Sequence, residues 1–558
     1  MKIFLCIVII VGLLTMRVRA HEKENIAKKK KSLLASYGKE SREALSHKRI
    51  KSLEDALHRQ KLILPMDHIT WNDLGMEELF LRMDNCGSAA GEEYLYYQLH
   101  ETGHSEKALE DLEWVISACD KDPEKRTELQ FLLTKLGFPG DYSLEDYLEY
   151  LTSGEARSAA KHFPALALYV LFLVLCFFYP LAGILCMLAL IAFQVFSYFS
   201  EKAKLLPYLT GLSYIVRLIE SCREIAALDF LPIKPEREEL QKCHEMFRKA
   251  DTAGNFVLRS SAGGQILGSG SGPAEVLTSY LNLLFHLDLI AYGRVLTLLK
   301  GKQEELLSAM HTIGRLDACI SIASFRASLR HGYCIPEFTE TADDGILLKG
   351  GYHFLLEHPV KNSIETSVPI LLTGSNASGK STFLRMVALN AVMAQTVHTC
   401  LADRYRAPYY RIFSSIALTD DLSAGDSYFM AEIKSIKRIL DAAQEPGRPV
   451  LCFVDEVLRG TNTSERIGAS TEILREMASR GILFFAATHD RELTGYLEQE
   501  VRNMHFEERM DGADITFSYE LLEGPASTKN ALLLLRNMGF PEDLVLRAEI
   551  LSESLDET

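Results

Sequence analysis

Apolar residues change their spacing along the chain, and each spacing predicts a different kind of element. From Glu22 to His162, and again from Glu201 to about Arg330, they recur at the helical period among charged residues. Residues 163–200 lie between these stretches and contain no charged side chain. After Cys334–Phe338, helical stretches alternate with the short apolar runs ILLT, VLCFVDE and ILFFAATHD, which are typical of buried parallel strands. The pattern predicts a helical region with an apolar insertion, followed by an α/β domain.

These changes divide the chain into five predicted regions. They are an N-terminal membrane anchor or signal peptide (1–20), a helical region (21–162), a transmembrane hairpin of two helices (163–200), a second helical region (201–338) and an α/β domain (339–558). At 558 residues the chain exceeds one ordinary hydrophobic core, so several regions are expected.

The apolar stretch 163–200 has the length of two membrane crossings, since one crossing needs about 20 residues. Pro180 and Gly183 interrupt the stretch near its middle, which predicts two helices joined there. Basic residues beyond its two ends put both ends on the cytoplasmic side of a membrane: Arg157, Lys161, Lys202 and Lys204. A buried hairpin in a soluble protein is the alternative.

The N-terminus offers two interpretations. Residues Ile3–Met16 carry no charge and are followed by V-R-A before His21, which fits a cleaved signal peptide. The basic residues Arg17, Arg19 and Lys28–Lys31 follow the apolar run, however, and this order favours an uncleaved anchor whose C-terminal side faces the cytoplasm.

Composition narrows the class of protein. The formal net charge of −15 argues against a general nucleic-acid coat, although a local basic groove is compatible with it. The eleven cysteines follow no disulfide or metal-binding spacing, which predicts reduced thiols buried like small apolar side chains. We therefore expect a multi-pass membrane protein with its α/β domain in the cytoplasm.

The run GSNASGKS, residues 374–381, matches the phosphate-binding loop GxxxxGK[ST] between an apolar strand and a helical stretch. Backbone N–H groups of such a loop cradle phosphates, while Lys380 would reach the β and γ oxygens and Ser381 would bind Mg²⁺. The predicted ATP-binding residues are Gly374, Ser375, Asn376, Ala377, Ser378, Gly379, Lys380, Ser381 and Thr382.

Two later strands end in residues that suit ATP hydrolysis. VLCFVDE ends in Asp455, predicted to bind Mg²⁺ with Ser381, and Glu456, predicted to orient the attacking water. ILFFAATHD leads to His489, where a side chain can contact the γ-phosphate. Glu456, His489 and Lys380 are thus the predicted catalytic residues, with ATP and Mg²⁺ as cofactors.

These motifs, in this order, resemble those of the MutS family of DNA mismatch repair ATPases. EHPVKN, TGSNASGKST, DDLSAGDSYFMAEI, VDEVLRGTNTSERIGAS and FAATHDRELT are similar to successive family segments. Weaker similarity covers residues 65–99, which resemble the start of the family's core domain, and IGRLDACISIASFR, residues 313–326, which resembles its last helix before the ATPase.

The resemblance implies an ABC-ATPase-like fold and a homodimer in which each subunit completes the other's site. It implies that Ser427 contacts the γ-phosphate of the partner's nucleotide and that Asn462 and Thr463 line the dimer seam. Asp426 or Ser427 could equally cap a helix.

The chain also departs from the family pattern. Residues 1–160 contain no F-x-E, the motif with which mismatch-reading members contact a mispair, and the clamp region looks shortened. We therefore predict a membrane-anchored, MutS-like ATPase that acts as a dimeric switch. Three outputs stay open: action on DNA, an ATP-driven change in a membrane-protein partner or the bilayer, and transport of the ABC type.

Overall fold

The structure is a computed structural model. It describes residues 17, 20–21, 23–39, 46–140, 142–153, 163–263, 280–375, 378–416, 428–458, 461–511, 514–526, 535–536 and 538–556.

The N-terminal part of the chain is helical. After a helix over residues 23–36, its helices with defined bounds are α1 (His47–Leu57), α2 (His68–Asp73), α3 (Met76–Met83), α4 (Ala89–His100), α5 (Glu106–Lys121), α6 (Pro123–Leu136), α7 (Leu144–Ser153), α8 (Phe163–Phe178), α9 (Pro180–Ala226), α10 (Arg237–Gly263), α11 (Leu287–Leu299) and α12 (Gln303–Ser328).

The C-terminal part alternates strands and helices. The strands are β1 (Glu337–Thr339), β2 (Ile346–Gly351), β3 (Asn362–Thr366), β4 (Ile370–Thr373), β5 (Arg404–Pro408), β6 (Arg411–Ser415), β7 (Val450–Asp455), β8 (Leu483–Ala487), β9 (Arg502–Asp511) and β10 (Asp514–Glu523). The helices are α13 (Lys380–Val397), α14 (Tyr428–Ala442), α15 (Thr463–Ser479), α16 (Glu492–Tyr496) and α17 (Glu542–Asp556). The predicted order, a helical region followed by an α/β domain, is confirmed.

The chain forms two compact units. The helical unit contains residues 1–61, 81–97 and 113–328, and the α/β unit contains residues 62–80, 98–112 and 329–558. Residues 62–80 and 98–112 fall within the region predicted as helical from sequence, but they pack with the strands. Asp73 shows why: its carboxylate accepts hydrogen bonds from the Ser414 hydroxyl at 2.7 Å and the Ile416 amide at 2.8 Å, just where β6 ends.

Within the helical unit, α4 and α12 cross at very short distance. A Cβ atom on Gly314 would lie 2.4 Å from the carbonyl oxygen of Ala90, so only glycine fits there. Most of the central turns of α12 are buried, including Leu316 and Phe325. The apolar side chains of this helix therefore form part of the unit's core.

The apolar segment forms two helices, α8 and α9, that meet at Tyr179–Pro180. Proline at the first position starts α9 because its missing N–H needs no partner there. Helix α9 then continues for 47 residues, so that one rod of about 70 Å joins the apolar segment to the buried turns at Leu212–Ala226.

The predicted pair of membrane spans is not supported. Among the described residues, one helical segment, Pro180–Ala203, has the length and apolarity of a membrane span, and 22% of it is buried. The apolar part of α8, Ala167–Phe178, is shorter, about 18 Å against a hydrocarbon core of about 30 Å. Length and composition alone define the candidate span, and a core helix of a soluble protein can share them. The predicted anchor at 1–20 lies mostly outside the described residues.

The α/β unit contains two sheets. The larger has the strand order β10-β9-β4-β8-β7-β6, parallel except for the β9–β10 pair. The smaller has the order β1-β5-β2-β3. In the larger sheet β8 pairs on one side with β4 and on the other with β7, so the carboxyl ends of these three strands lie at one edge. Crevices at such an edge are the usual ligand sites of α/β folds.

Several carboxyl groups of the helical unit lie in buried surroundings, and two of them contact Arg49. Arg49 contacts Glu92 at 2.6 Å and Glu93 at 3.0 Å. Burial raises the pKa of Glu93 to about 7, and burial together with the charge of Glu92 raises the pKa of Asp84 to about 7. Burial also raises the pKa of Asp317 to about 6, although the Ser88 hydroxyl donates to it at 2.6 Å.

These raised pKa values predict that the helical unit loses stability as the pH rises. The folded state holds protons that the unfolded state releases above about pH 4, so the free energy of unfolding falls until the folded groups ionise near pH 7. Between pH 6 and pH 8 we expect a loss of about 1.4 kcal/mol for each such group. Asp84→Asn, which keeps the oxygen that accepts the Cys86 amide hydrogen, should weaken this dependence.

The thermal unfolding of the helical unit can be followed separately with a tryptophan reporter. The chain has two tryptophans, Trp71 in the α/β unit and Trp114 in the helical unit, so a Trp71→Phe background leaves a reporter for the helical unit. Asp229→Asn removes the same charge from an exposed site of that unit and serves as the control. An Asp84→Asn profile that matches the control across pH 6–8 would contradict the assignment.

Candidate functional site

The phosphate-binding loop leaves β4 and enters α13 through two glycines with unusual backbone angles. Gly374 has φ +144° and Gly379 has φ +106°, a region that residues with a Cβ atom rarely adopt. At Gly374 an added Cβ would lie 2.9 Å from Ser378 Oγ and 3.0 Å from Phe506 O. The glycines therefore allow both the turn and its close packing against β9.

Lys380, the first residue of α13, lies across this loop. Its ammonium donates to the carbonyl oxygens of Gly374 at 2.8 Å and Ser375 at 2.7 Å, and the residue is 5% exposed. The positive charge is thus held over the loop, where a phosphate group would meet it.

The end of β7 faces the start of α13. The Ser381 hydroxyl donates a hydrogen bond to Asp455 Oδ2. Burial is the main cause that raises the pKa of Asp455; the neighbouring Glu456 raises it further, while the bond from Ser381 lowers it. A hydroxyl and a carboxylate in contact form a pair of hard oxygen donors, the type that Mg²⁺ prefers.

Glu456 and His489 form the second part of the edge. Glu456 Oε1 lies 2.7 Å from His489 Nε2. Glu456 has φ +58°, rare for a residue with a side chain, and its amide donates to Ala487 O at 2.9 Å. The amide of Thr488 donates to Leu372 O at 2.9 Å, so backbone hydrogen bonds join the ends of all three strands.

These side chains line one cleft with a volume of about 560 Å³. The lining contains Ser375, Gly379, Lys380, Ser381, Thr382, Asp455, Glu456 and His489, together with Tyr352, His353, His358, Val360, Asn362 and Tyr519. Burial, with a smaller effect of Arg385, lowers the pKa of His353 to about 4, so the His353 imidazole is neutral at physiological pH.

Comparison with known proteins agrees with this geometry. Residues 370–556 match the family model for MutS domain V. The chain is 31% identical over 261 residues to the DNA mismatch repair protein MutS of Thermus aquaticus, 34% over 260 residues to that of Natronomonas pharaonis, and 32% over 279 residues to that of Methanosarcina acetivorans. The alignments cover 46%, 44% and 47% of this chain but 31%, 29% and 30% of those relatives.

Residues 370–556 of this chain thus form a MutS-type domain V. The chain spans about a third of the length of the curated relatives that it matches. The matched residues contain the phosphate-binding loop and the ends of β7 and β8, three elements that line the cleft.

The structure brings together most, but not all, of the site residues predicted from the MutS-like motifs. Lys380, Ser381, Asp455, Glu456 and His489 share the cleft. Asn376, Ala377 and Ser427 lie outside the described residues. Asn462 is the N-cap of α15, where its side chain accepts the Glu465 amide hydrogen at 3.0 Å.

The MutS motifs did not reveal two further features of the cleft. Arg466 on α15 binds both carboxylate oxygens of Asp490, at 2.8 and 2.6 Å, and so anchors the residue that follows His489.

The second feature is a bulge in β10. The Asn362 side chain accepts a hydrogen bond from the Leu521 amide and donates one to Tyr519 O, both at 2.9 Å, and so holds this bulge. Tyr519 has φ +54° at this bulge, and its ring lies beside Gly379. In the sequence, the only signs of these two features are Asp490 next to His489 and the aromatic pattern FSY.

Proposed function

We propose that this chain is an ATPase that binds ATP in the cleft between α13, β7 and β8 and hydrolyses it to ADP and phosphate. The observation that carries the proposal is the convergence of Lys380, Ser381, Asp455, Glu456 and His489 on the same cleft as the phosphate-binding loop. An isolated glycine loop would not require a partly buried carboxylate pair and a histidine at the same sheet edge.

Each of these side chains has a defined task in the proposed reaction, which is attack of water on the γ-phosphate. Glu456 orients the water and accepts its proton, and His489, 2.7 Å from Glu456, fixes the direction of that carboxylate. Lys380 stabilises the charge on the phosphate oxygens as the bond breaks.

Ser381 and Asp455 are the residues that would hold Mg²⁺. Their contact and the burial of Asp455 fit the ion, because a buried carboxylate next to a second one favours a cation. When bound, Mg²⁺ supplies neutralisation of phosphate charge.

Tyr519 is the residue we propose for contact with the adenine base. Its ring is 45% exposed and lines the cleft next to Gly379, and stacking of a base on an aromatic ring contributes about 1–3 kcal/mol. Tyr519→Ala should therefore weaken ATP binding by about tenfold while binding of inorganic triphosphate, which has no base, stays unchanged. Tyr496→Ala, a change at another exposed tyrosine of the same unit that does not line the cleft, is the matched control for this titration. Equal losses for ATP and triphosphate would contradict the base contact.

We further propose that the active form is a homodimer. The MutS-like signature around Ser427, and Asn462 and Thr463 at the start of α15, would then contribute to the partner's site. Asn462 caps α15 in the single chain, and the same side chain can also face a partner. This proposal predicts that the specific ATPase activity rises with protein concentration.

Two outputs of the ATPase are supported by different observations. Action on DNA is supported by the relatives, which are named DNA mismatch repair proteins. Action at a membrane is supported by α8 and α9, where large side chains such as Leu173, Phe177, Leu181 and Phe196 are at least 66% exposed. A soluble surface seldom carries so many exposed apolar groups in one place. In the second case the α/β unit would lie in the cytoplasm and act on the bilayer or on a membrane protein.

One experiment separates these outputs. The ATPase rate of the detergent-solubilised full chain is measured alone, with duplex, mismatched and branched DNA, and after reconstitution in lipid vesicles. Stimulation by DNA that declines steeply with salt supports the first output. Stimulation by vesicles alone supports the second, and Leu181→Lys should abolish it whereas Leu231→Lys, a change at an exposed leucine outside the apolar helices, should not. An ATPase rate that responds to neither would refute both outputs and leave the hydrolytic site intact.

A further inference from the structure

Two cysteines of the α/β unit face each other across a short antiparallel bridge. The amide of Cys334 donates to Cys400 O at 2.9 Å, and the amide of Cys400 donates to Cys334 O at 2.9 Å. Cys334 precedes β1, and Cys400 follows the C-terminal end of α13, the helix that begins at the phosphate-binding loop. Neither residue forms a disulfide in the structure.

The spacing of this pair suits a disulfide. Residues that exchange both backbone hydrogen bonds have Cα atoms about 5.5 Å apart, and disulfides join residues whose Cα atoms are about 4.4–6.8 Å apart. Residues directly opposite each other in an antiparallel pair carry their side chains on the same face, so the two thiols are neighbours. Bond formation would therefore need little movement of the backbone.

The two thiols differ in access and in acidity. Cys334 is half-buried between Tyr333 and Ile335, which are 41% and 39% exposed, whereas Cys400 is fully buried. The neighbouring Cys400 side chain lowers the pKa of the Cys334 thiol. An accessible, more acidic thiol next to a buried second thiol is the usual arrangement of a redox-sensitive pair.

A second pair of neighbouring thiols provides an internal comparison. The thiols of Cys222 on α9 and Cys243 on α10 shift each other's pKa, but the two residues are 0% and 4% exposed. A dissolved oxidant cannot reach either sulfur while the helical unit is folded. Both pairs therefore have neighbouring thiols, but only the Cys334–Cys400 pair has a thiol that a dissolved oxidant can reach.

We propose that Cys334 and Cys400 form a reversible disulfide and make up a redox modification site of the α/β unit. With oxidised glutathione as the oxidant, the Cys334 thiolate attacks one sulfur of its disulfide, and one glutathione thiol leaves. The Cys400 thiolate then attacks the Cys334 sulfur, and the second glutathione thiol leaves. Two protein thiols lose two electrons and two protons, which reduce one glutathione disulfide to two thiols.

The bond would fix a segment that contacts the cleft. The Tyr352 hydroxyl donates to Gly332 O, and the Lys361 ammonium donates to His331 O at 3.2 Å. Tyr352 lines the cleft, and Lys361 lies between the cleft residues Val360 and Asn362. The disulfide should therefore slow hydrogen exchange of amides in residues 330–336. This inference does not rest on ATP hydrolysis.

The test uses the folded full chain. It is incubated with oxidised glutathione, free thiols are blocked with N-ethylmaleimide, and the protein is digested without reductant for mass spectrometry. We expect a peptide linked through Cys334 and Cys400 that dithiothreitol removes, and no Cys222–Cys243 link. Cys400→Ser should accumulate glutathione on Cys334, Cys334→Ser should take up none at Cys400, and Cys222→Ser should behave as wild type.

The wild-type digest alone can overturn the proposal. Cys334 that carries glutathione without linking to Cys400, or a Cys222–Cys243 link that forms as fast as the Cys334–Cys400 link, would contradict it. Because both readouts come from the unaltered chain, the outcome does not depend on whether a variant at the buried Cys400 folds.

Discussion

Glu456→Gln should bind ATP nearly as tightly as the wild-type chain but hydrolyse it about 10²- to 10⁴-fold more slowly, the usual contribution of a general base. The amide has the shape of the carboxylate and can keep the contact with His489 that now measures 2.7 Å. It cannot accept a proton from water. Because Glu456 is one-fifth exposed and follows the end of β7, the change should leave the fold of the α/β unit intact.

The measurement pairs steady-state phosphate release with equilibrium binding of a fluorescent ATP analogue. Glu476→Gln is the matched control, since it makes the same chemical change on the far part of α15, where Glu476 pairs with Arg480 on the surface. Turnover of Glu456→Gln within a factor of three of this control would remove Glu456 from the catalytic role.

Lys380→Met should act at the preceding step and weaken ATP binding by about 100-fold, or ~2.7 kcal/mol. A charge-assisted hydrogen bond contributes about 1.5–3 kcal/mol, and methionine retains the buried aliphatic stem while it removes the ammonium. The loss of the bonds to Gly374 O and Ser375 O also frees the loop, so phosphate release should fall along with affinity.

Titration calorimetry with ATP gives this affinity directly. Lys349→Met, at an exposed position of β2, removes the same charge from the same unit and should leave the affinity unchanged. An unaltered dissociation constant for Lys380→Met, in a protein with wild-type thermal unfolding, would show that the ammonium does not meet the nucleotide.

The site residues at the edge of the larger sheet could be predicted from the sequence because each lies in a short motif at the end of a strand. A glycine loop after an apolar strand, and polar residues at the ends of two further parallel strands, must meet when those strands are neighbours. The register of β4, β8 and β7 confirms that neighbourhood. The order of the motifs was therefore enough to predict that Lys380, Asp455 and His489 lie at one edge of the sheet, without any knowledge of the loops between them.

The features that the sequence did not reveal depend on contacts between distant segments. Asp73 lies more than 300 residues from Ser414, and no periodicity predicts that its carboxylate binds the end of β6. Tyr519 reaches the cleft only because Asn362 holds a bulge in β10. The two-span hairpin was predicted from apolar length, but among the described residues only Pro180–Ala203 has the length and apolarity of a span.

The most direct test of the account is phosphate release by the purified full chain at saturating ATP, with Mg²⁺ and then with excess EDTA, beside Glu456→Gln. We predict release that depends on Mg²⁺ and falls at least 100-fold in the variant. Equal release from the wild type and Glu456→Gln would contradict the account. So would the absence of release from the wild type across protein concentrations with DNA and lipid vesicles present.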